Sequence, residues 1–148
     1  MKLLKKWYDE IIRDITTLGG VMFAILIIPV ILITKPVLLV PYITAHLLFH
    51  VTSYAIKHFF YKDRPKKQIH YSIFSRIDAS SFPSIHAGKA VMNLGTLAKI
   101  YPTTEIYLLI TLLIIGVMYS RIELKKHDWK DVMSGALLAL IIFVIILR

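Results

Sequence analysis

Two stretches near the C-terminus decide the fold: TEIYLLITLLIIGVMYS, Thr104 to Ser120, and VMSGALLALIIFVIIL, Val132 to Leu147. Both are almost free of charge, and each approaches the length of about 20 apolar residues that crosses a hydrocarbon core. Between them lies RIELKKHDWKD, Arg121 to Asp131, a charged connection too short to be anything but a loop joining two antiparallel spans. The same grammar extends toward the N-terminus. A helix runs from about Ser84 to Tyr101-Pro102, a second span occupies about Pro36 to Phe60, and a first span runs from about Ile15 to Thr34. Pro36 disfavours helix just before it, so Thr34-Lys35-Pro36 makes a tight connection. Lys62 to Phe82 is polar without sustained period and reads as a loop or a short surface helix.

The first 14 residues are of another kind. Leu3, Leu4, Trp7, Tyr8 and Ile11 recur at helical spacing, with Lys5, Lys6, Asp9, Glu10 and Arg13 between them. This pattern predicts an amphipathic helix lying in the membrane interface, not a signal peptide. The expected fold is therefore all-α: one membrane-embedded domain over 1–148, with about five spans and the interfacial helix over 1–14. Composition agrees, with 57% hydrophobic and 18% charged residues and a mean hydropathy of +0.67. The net charge of +9 does not point to nucleic acid, because the basic residues cluster beside apolar runs. With no cysteine, disulfides are excluded.

Tracing the chain back and forth puts three polar segments on one membrane face. Lys57 and Arg64-Pro65 are seven residues apart, which places the two cations on one helical face. Taken alone, Lys57 reads as a snorkelling lysine. Pro83-Ser84-Ile85-His86 offers an N-cap and the free amides of a first turn, a ready anion site, or simply a capped helix with an incidental histidine. Ser120-Arg121, His127 and Asp131 form the third segment. If the last helix begins early enough, Asp131 shares a face with His127 and can bind one imidazole nitrogen, leaving the other as nucleophile. By itself this run is a solvated loop. Together the segments bring two arginines, a lysine, two histidines and an aspartate to one place, and arginine and lysine are the side chains suited to phosphate.

These residues resemble the type-2 phosphatidic acid phosphatase superfamily, which also includes vanadium haloperoxidases. Its signature is Lys-x6-Arg-Pro, Pro-Ser-Gly-His and Ser-Arg-x5-His-x3-Asp. Here the three parts read Lys57 to Arg64-Pro65, Pro83 to His86, and Ser120-Arg121 to His127 and Asp131, so the motifs lie within 57–131. The glycine of the second part is Ile85, and family members in membranes usually have six spans. The resemblance implies a membrane lipid phosphatase acting on a phospholipid or an isoprenyl mono- or diphosphate. It implies His127 as nucleophile, Asp131 orienting it, His86 as proton donor, and Lys57, Arg64, Ser84 and Arg121 binding phosphate, with no metal and no cofactor. His46 and His50, four apart without acidic partners, read as a satisfied buried pair. A transporter subunit using Lys89 and Asn93, and a non-catalytic lipid-phosphate binder, are the alternative readings. Outside the motifs and Lys89, 11 of the 18 Lys and Arg fall on the active-site side and three opposite (Lys35, Lys99, Arg148), which predicts a multi-pass cell-membrane protein with its active site facing the cytoplasm. The oligomeric state has no signature in the sequence.

Overall fold

The computed structural model describes residues 2–66 and 71–147, and every described element is helical. The elements are α1 (Lys2–Thr17), α2 (Val21–Thr34), a 3-10 turn (Pro36–Leu38), α3 (Leu39–Phe59), α4 (Ile73–Ala79), α5 (Ile85–Ile100), α6 (Thr104–Glu123) and α7 (Trp129–Ile146). Lys67 and Arg148, both used in the charge count, lie outside the described residues.

Helix α5 is the axis of the bundle, with α2, α3, α6 and α7 packed around it. Its sequence explains the position. Ala87, Gly88, Ala90 and Ala98 are small enough for neighbouring helices to approach closely, which is how helices associate where lipid removes the hydrophobic drive. Polar Lys89, Asn93 and Thr96 are buried as well, so the helix is covered on all sides. At 16 residues it is about 24 Å long, shorter than a hydrocarbon core of about 30 Å.

Among the described residues three stretches, Pro36–Phe59, Thr104–Glu123 and Trp129–Ile146, are long and apolar enough to cross a membrane, and α1 with α2 makes a fourth if that bent pair is one span. The five expected spans thus include α5, which falls short by length. The N-terminal boundary also moves. Helix α1 runs on to Thr17 instead of ending near Asp14, and Val21 opens α2 at 53° to it. The break falls at Leu18-Gly19-Gly20, where two consecutive glycines weaken helix. A broken helix frees carbonyls that lipid cannot satisfy. Here Asn93 Nδ2 of α5 donates to the Leu18 carbonyl at 3.1 Å, and Tyr42 Oη lies 3.0 Å from both Asn93 Oδ1 and the Ala24 carbonyl. Asn93 is thereby a structural brace for the break, and it no longer supports a transporter reading.

Helix α1 packs along α6. Tyr8 and Tyr119 hydroxyls are 2.9 Å apart, and the Ile15 side chain covers Gly116. Leu3, Leu4, Trp7 and Ile11 remain exposed, the apolar face expected of an interfacial helix.

Candidate active site

All three polar segments meet at one end of the bundle. A cavity of about 340 Å³ is lined by Lys57 from the last turn of α3, Arg64 from the following loop, His86 from the first turn of α5, Arg121 from the last turn of α6 and His127 from the α6–α7 loop. Lys89, Lys126 and Asp78 join them on the wall. Five cations against one carboxylate make this an anion site.

Three of these cations are aimed by neutral oxygens. Lys57 Nζ donates to the Ser80 carbonyl. Arg64 Nη2 donates to the Asp78 carbonyl at 2.6 Å, and Arg121 Nη1 to the Thr16 hydroxyl at 3.2 Å. Neutral acceptors hold these side chains in place without cancelling their charge, so the positive potential is left for a ligand. Arg121 Nε is buried and has no hydrogen-bond partner among the described residues. Burial lowers the pKa of the Arg64 guanidinium, although Asp78 and Tyr61 favour its charge.

His127 is 3% exposed, and its Nδ1 lies 2.8 Å from the Ser81 carbonyl. A carbonyl oxygen only accepts, so Nδ1 carries the ring proton and Nε2 keeps its lone pair. Burial first, and then Arg121, push the imidazole pKa down to about 3, against a small opposing effect from the Ser81 hydrogen bond. The ring is therefore neutral at physiological pH, with a lone pair on Nε2.

Asp131 departs from expectation. Its Oδ2 is 3.9 Å from His127 Nδ1, beyond a hydrogen bond, so the orienting partner of His127 is the Ser81 carbonyl. The reason is local. Helix α7 starts at Trp129, so His127 precedes the helix and does not share a face with Asp131. Asp128 takes the N-cap, and Asp131 closes a capping box, accepting from the Asp128 amide at 3.0 Å while Asp128 accepts from its own. Lys62 then joins both carboxylates, at 2.6 Å to Asp128 and 2.7 Å to Asp131. Partial burial works against the Lys62 charge, but the two carboxylates outweigh it and raise its pKa. Burial likewise works against the Asp128 anion, and Lys62 outweighs it.

Ser84 does not line the cavity. It is buried, its hydroxyl accepts from the Ala87 amide at 3.4 Å, and its own amide donates to the Asp131 carbonyl at 2.9 Å. It caps α5 and ties that N-terminus to α7. Lys62, Thr16, Asp78, Lys126 and the Ser81 carbonyl were not among the expected site groups. Of the distant histidine pair, His50 Nδ1 lies 2.7 Å from the His46 carbonyl, whereas His46 Nε2 is buried without a hydrogen-bond partner among the described residues. The pair is only half satisfied. Among the described residues no group of three or more His, Cys, Asp or Glu side chains is placed to hold a metal.

An all-helical membrane bundle with a cationic, histidine-bearing cavity at the ends of its helices defines the class: a membrane protein with an anion site. The chain belongs to the PAP2 superfamily, whose family model matches residues 38–148. Its fold is similar to that of the crystal structure of a transmembrane PAP2-type phosphatidylglycerolphosphate phosphatase from Bacillus subtilis. The TM-score is 0.68 and the identity 24%, over 95% of this chain and 75% of that one. A search of curated proteins finds no match.

Proposed function

We propose that this protein is a membrane lipid phosphatase that hydrolyses a terminal phosphate through a phosphohistidine, without a metal ion. The observation that carries the reading is the neutral, buried His127 with its proton held on Nδ1, set in a wall of cations. His127 Nε2 attacks phosphorus, the bond from phosphorus to the lipid oxygen breaks, and His86 gives that oxygen its proton. Lys57, Arg64 and Arg121, with the first-turn amides of α5 behind Ser84, hold the remaining oxygens as charge redistributes. The bound dianion offsets the surrounding cations and lets His86 carry the proton it donates. Water, deprotonated by His86, then attacks the phosphohistidine and releases inorganic phosphate. Asp131 acts at one remove, through the capping box and Lys62, by fixing the loop that carries His127.

Substrate reaches the cavity from the membrane, and the basic bias of the surrounding loops supports a cytoplasmic active site in the cell membrane. The test is phosphate release from detergent-dispersed phosphatidate, phosphatidylglycerophosphate and isoprenyl phosphates by purified protein in EDTA. Wild type should turn over and yield acid-labile protein-bound phosphate. His127→Ala should do neither. Turnover by that variant, or turnover that needs added Mg²⁺, would overturn the mechanism.

A further inference from the structure

Two cavity cations, Lys89 and Lys126, stand at positions that no motif specifies, and of the two only Lys89 is buried. It lies one helical turn beyond His86 on α5, is 5% exposed, and makes no hydrogen bond or ion pair with another described residue. A buried ammonium without a counter-ion is costly, and the cost is offset only when an anion fills the space beside it. A second space of about 340 Å³ adjoins the first. It is an apolar cleft between α2 and α3, lined in part by Val21, Ile25, Ile43 and Leu47, which are half exposed or more on the surface that meets lipid. Only Val21 and Lys89 line both spaces. Lys89 therefore marks the boundary between the place of the phosphate and the place of the apolar chain. The group of a bound lipid that meets it is the one joining the scissile phosphate to the tail.

We infer that Lys89 selects lipids carrying a second phosphoryl anion on the tail side of the scissile phosphate. This rests on the phosphatase reading and refines it. The charge in the cavity agrees: three of its cations are aimed by neutral oxygens, and only Asp78 among the lining residues is acidic. A monophosphate leaves Lys89 facing uncharged ester or hydrocarbon. A lipid diphosphate places its inner phosphate there, and a phosphodiester such as that of phosphatidylglycerophosphate places its bridging phosphate there.

Two substrate pairs separate these sources: farnesyl diphosphate against farnesyl monophosphate, and phosphatidylglycerophosphate against phosphatidate. For wild type, kcat/KM should favour the two-phosphoryl member of at least one pair. A hydrogen bond from a charged donor sets the scale at roughly 10- to 100-fold. Lys89→Met, close in length but uncharged, should collapse that ratio toward one, and Lys89→Arg should retain most of it. Each ratio is measured within one preparation, so a partly misfolded variant lowers both members together and leaves the ratio interpretable. The pair whose ratio collapses identifies the diphosphate or the phosphodiester as the preferred chemistry. An unchanged ratio in Lys89→Met, or a wild type indifferent within both pairs, overturns the inference while the phosphatase reading stands. A wild type inactive on all four lipids overturns both.

Discussion

Replacing Gly135 by alanine should disable the site from behind, through backbone contact alone. Gly135 lies on α7, one turn past Asp131, and a Cβ built on it comes 2.2 Å from the Ser84 carbonyl oxygen and 3.0 Å from the Ser84 carbonyl carbon and amide nitrogen. Ordinary van der Waals contact begins at 3.4 Å, so the two backbones must part by about 1 Å. No side-chain rotation relieves this, because the three nearest atoms are all main chain. Such overpacking typically costs about 1–3 kcal/mol. The strain falls on the N-terminus of α5, which carries His86 and the first-turn amides. A displacement of about 1 Å at a reacting group is worth roughly 100-fold in rate. Gly135→Ala should therefore lower kcat/KM about 100-fold and depress the thermal midpoint in detergent. Two controls calibrate it. Gly95→Ala meets only the Phe143 ring, at 3.2 Å, and a side chain can yield a few tenths of an ångström. Gly116→Ala meets an Ile15 methyl at 3.4 Å and gains helix propensity, so it should be neutral or stabilising. Wild-type activity and midpoint in Gly135→Ala, or equal damage in Gly95→Ala, would refute the reasoning.

Three further outcomes are expected. His86→Ala should cripple hydrolysis of a lipid monoester by about 10²–10⁴-fold and that of p-nitrophenyl phosphate far less, because nitrophenolate leaves without protonation; equal losses would remove the acid role. Since the folded His127 has its pKa lowered from 6.5 to about 3, its neutral form contributes stability above pH 6.5 that is lost as pH falls toward 3. The slope is at most about 1.4 kcal/mol per pH unit, and thermal unfolding of His127→Gln should show a shallower acid decline than wild type; parallel declines would contradict the burial argument. Cysteines placed at exposed Lys66 and Pro102 should report opposite sides of the membrane, with Pro102→Cys the one labelled by an impermeant reagent from outside intact cells; labelling of Lys66→Cys instead would reverse the proposed orientation.

Side-chain chemistry was legible in the sequence where it sat at predicted helix ends. Lys57, Arg64, His86, Arg121 and His127 were all expected on one face, and all five line one cavity. What escaped is what backbone supplies. The Ser81 carbonyl that fixes the His127 tautomer has no signature in residue type, since every residue has one. Asp131 was misplaced by two residues of helix boundary: with Asp128 as the N-cap, the i, i+4 relation of His127 and Asp131 no longer puts them on one helical face. Lys62 carries no motif and stands in the sequence as the first residue of a polar loop, and only the fold brings it within 2.7 Å of a carboxylate 69 residues away. Thr16 is similarly silent: the sequence assigns it to the first span, whereas it lies in the last turn of α1, which packs on α6, and it accepts from Arg121.

The substitution of isoleucine for the glycine of the second motif follows from the same geometry. Glycine is required where φ is positive or where backbones approach too closely for a Cβ. Among the described residues the only positive φ outside glycine belongs to Lys125, so Ile85 has no left-handed conformation to adopt. It opens α5 after an extended Ser84, with its side chain on the cavity wall and packed against the core cluster that contains Phe49 and Val91. Close approach is instead supplied by the partners of α5. Gly135 meets the Ser84 carbonyl from α7, and Gly19, in the break between α1 and α2, meets the His86 carbonyl, where a Cβ would come within 2.3 Å. The helix that presents His86 is thus clasped on two sides by glycines of other elements. That arrangement leaves position 85 able to carry an apolar side chain on the cavity wall.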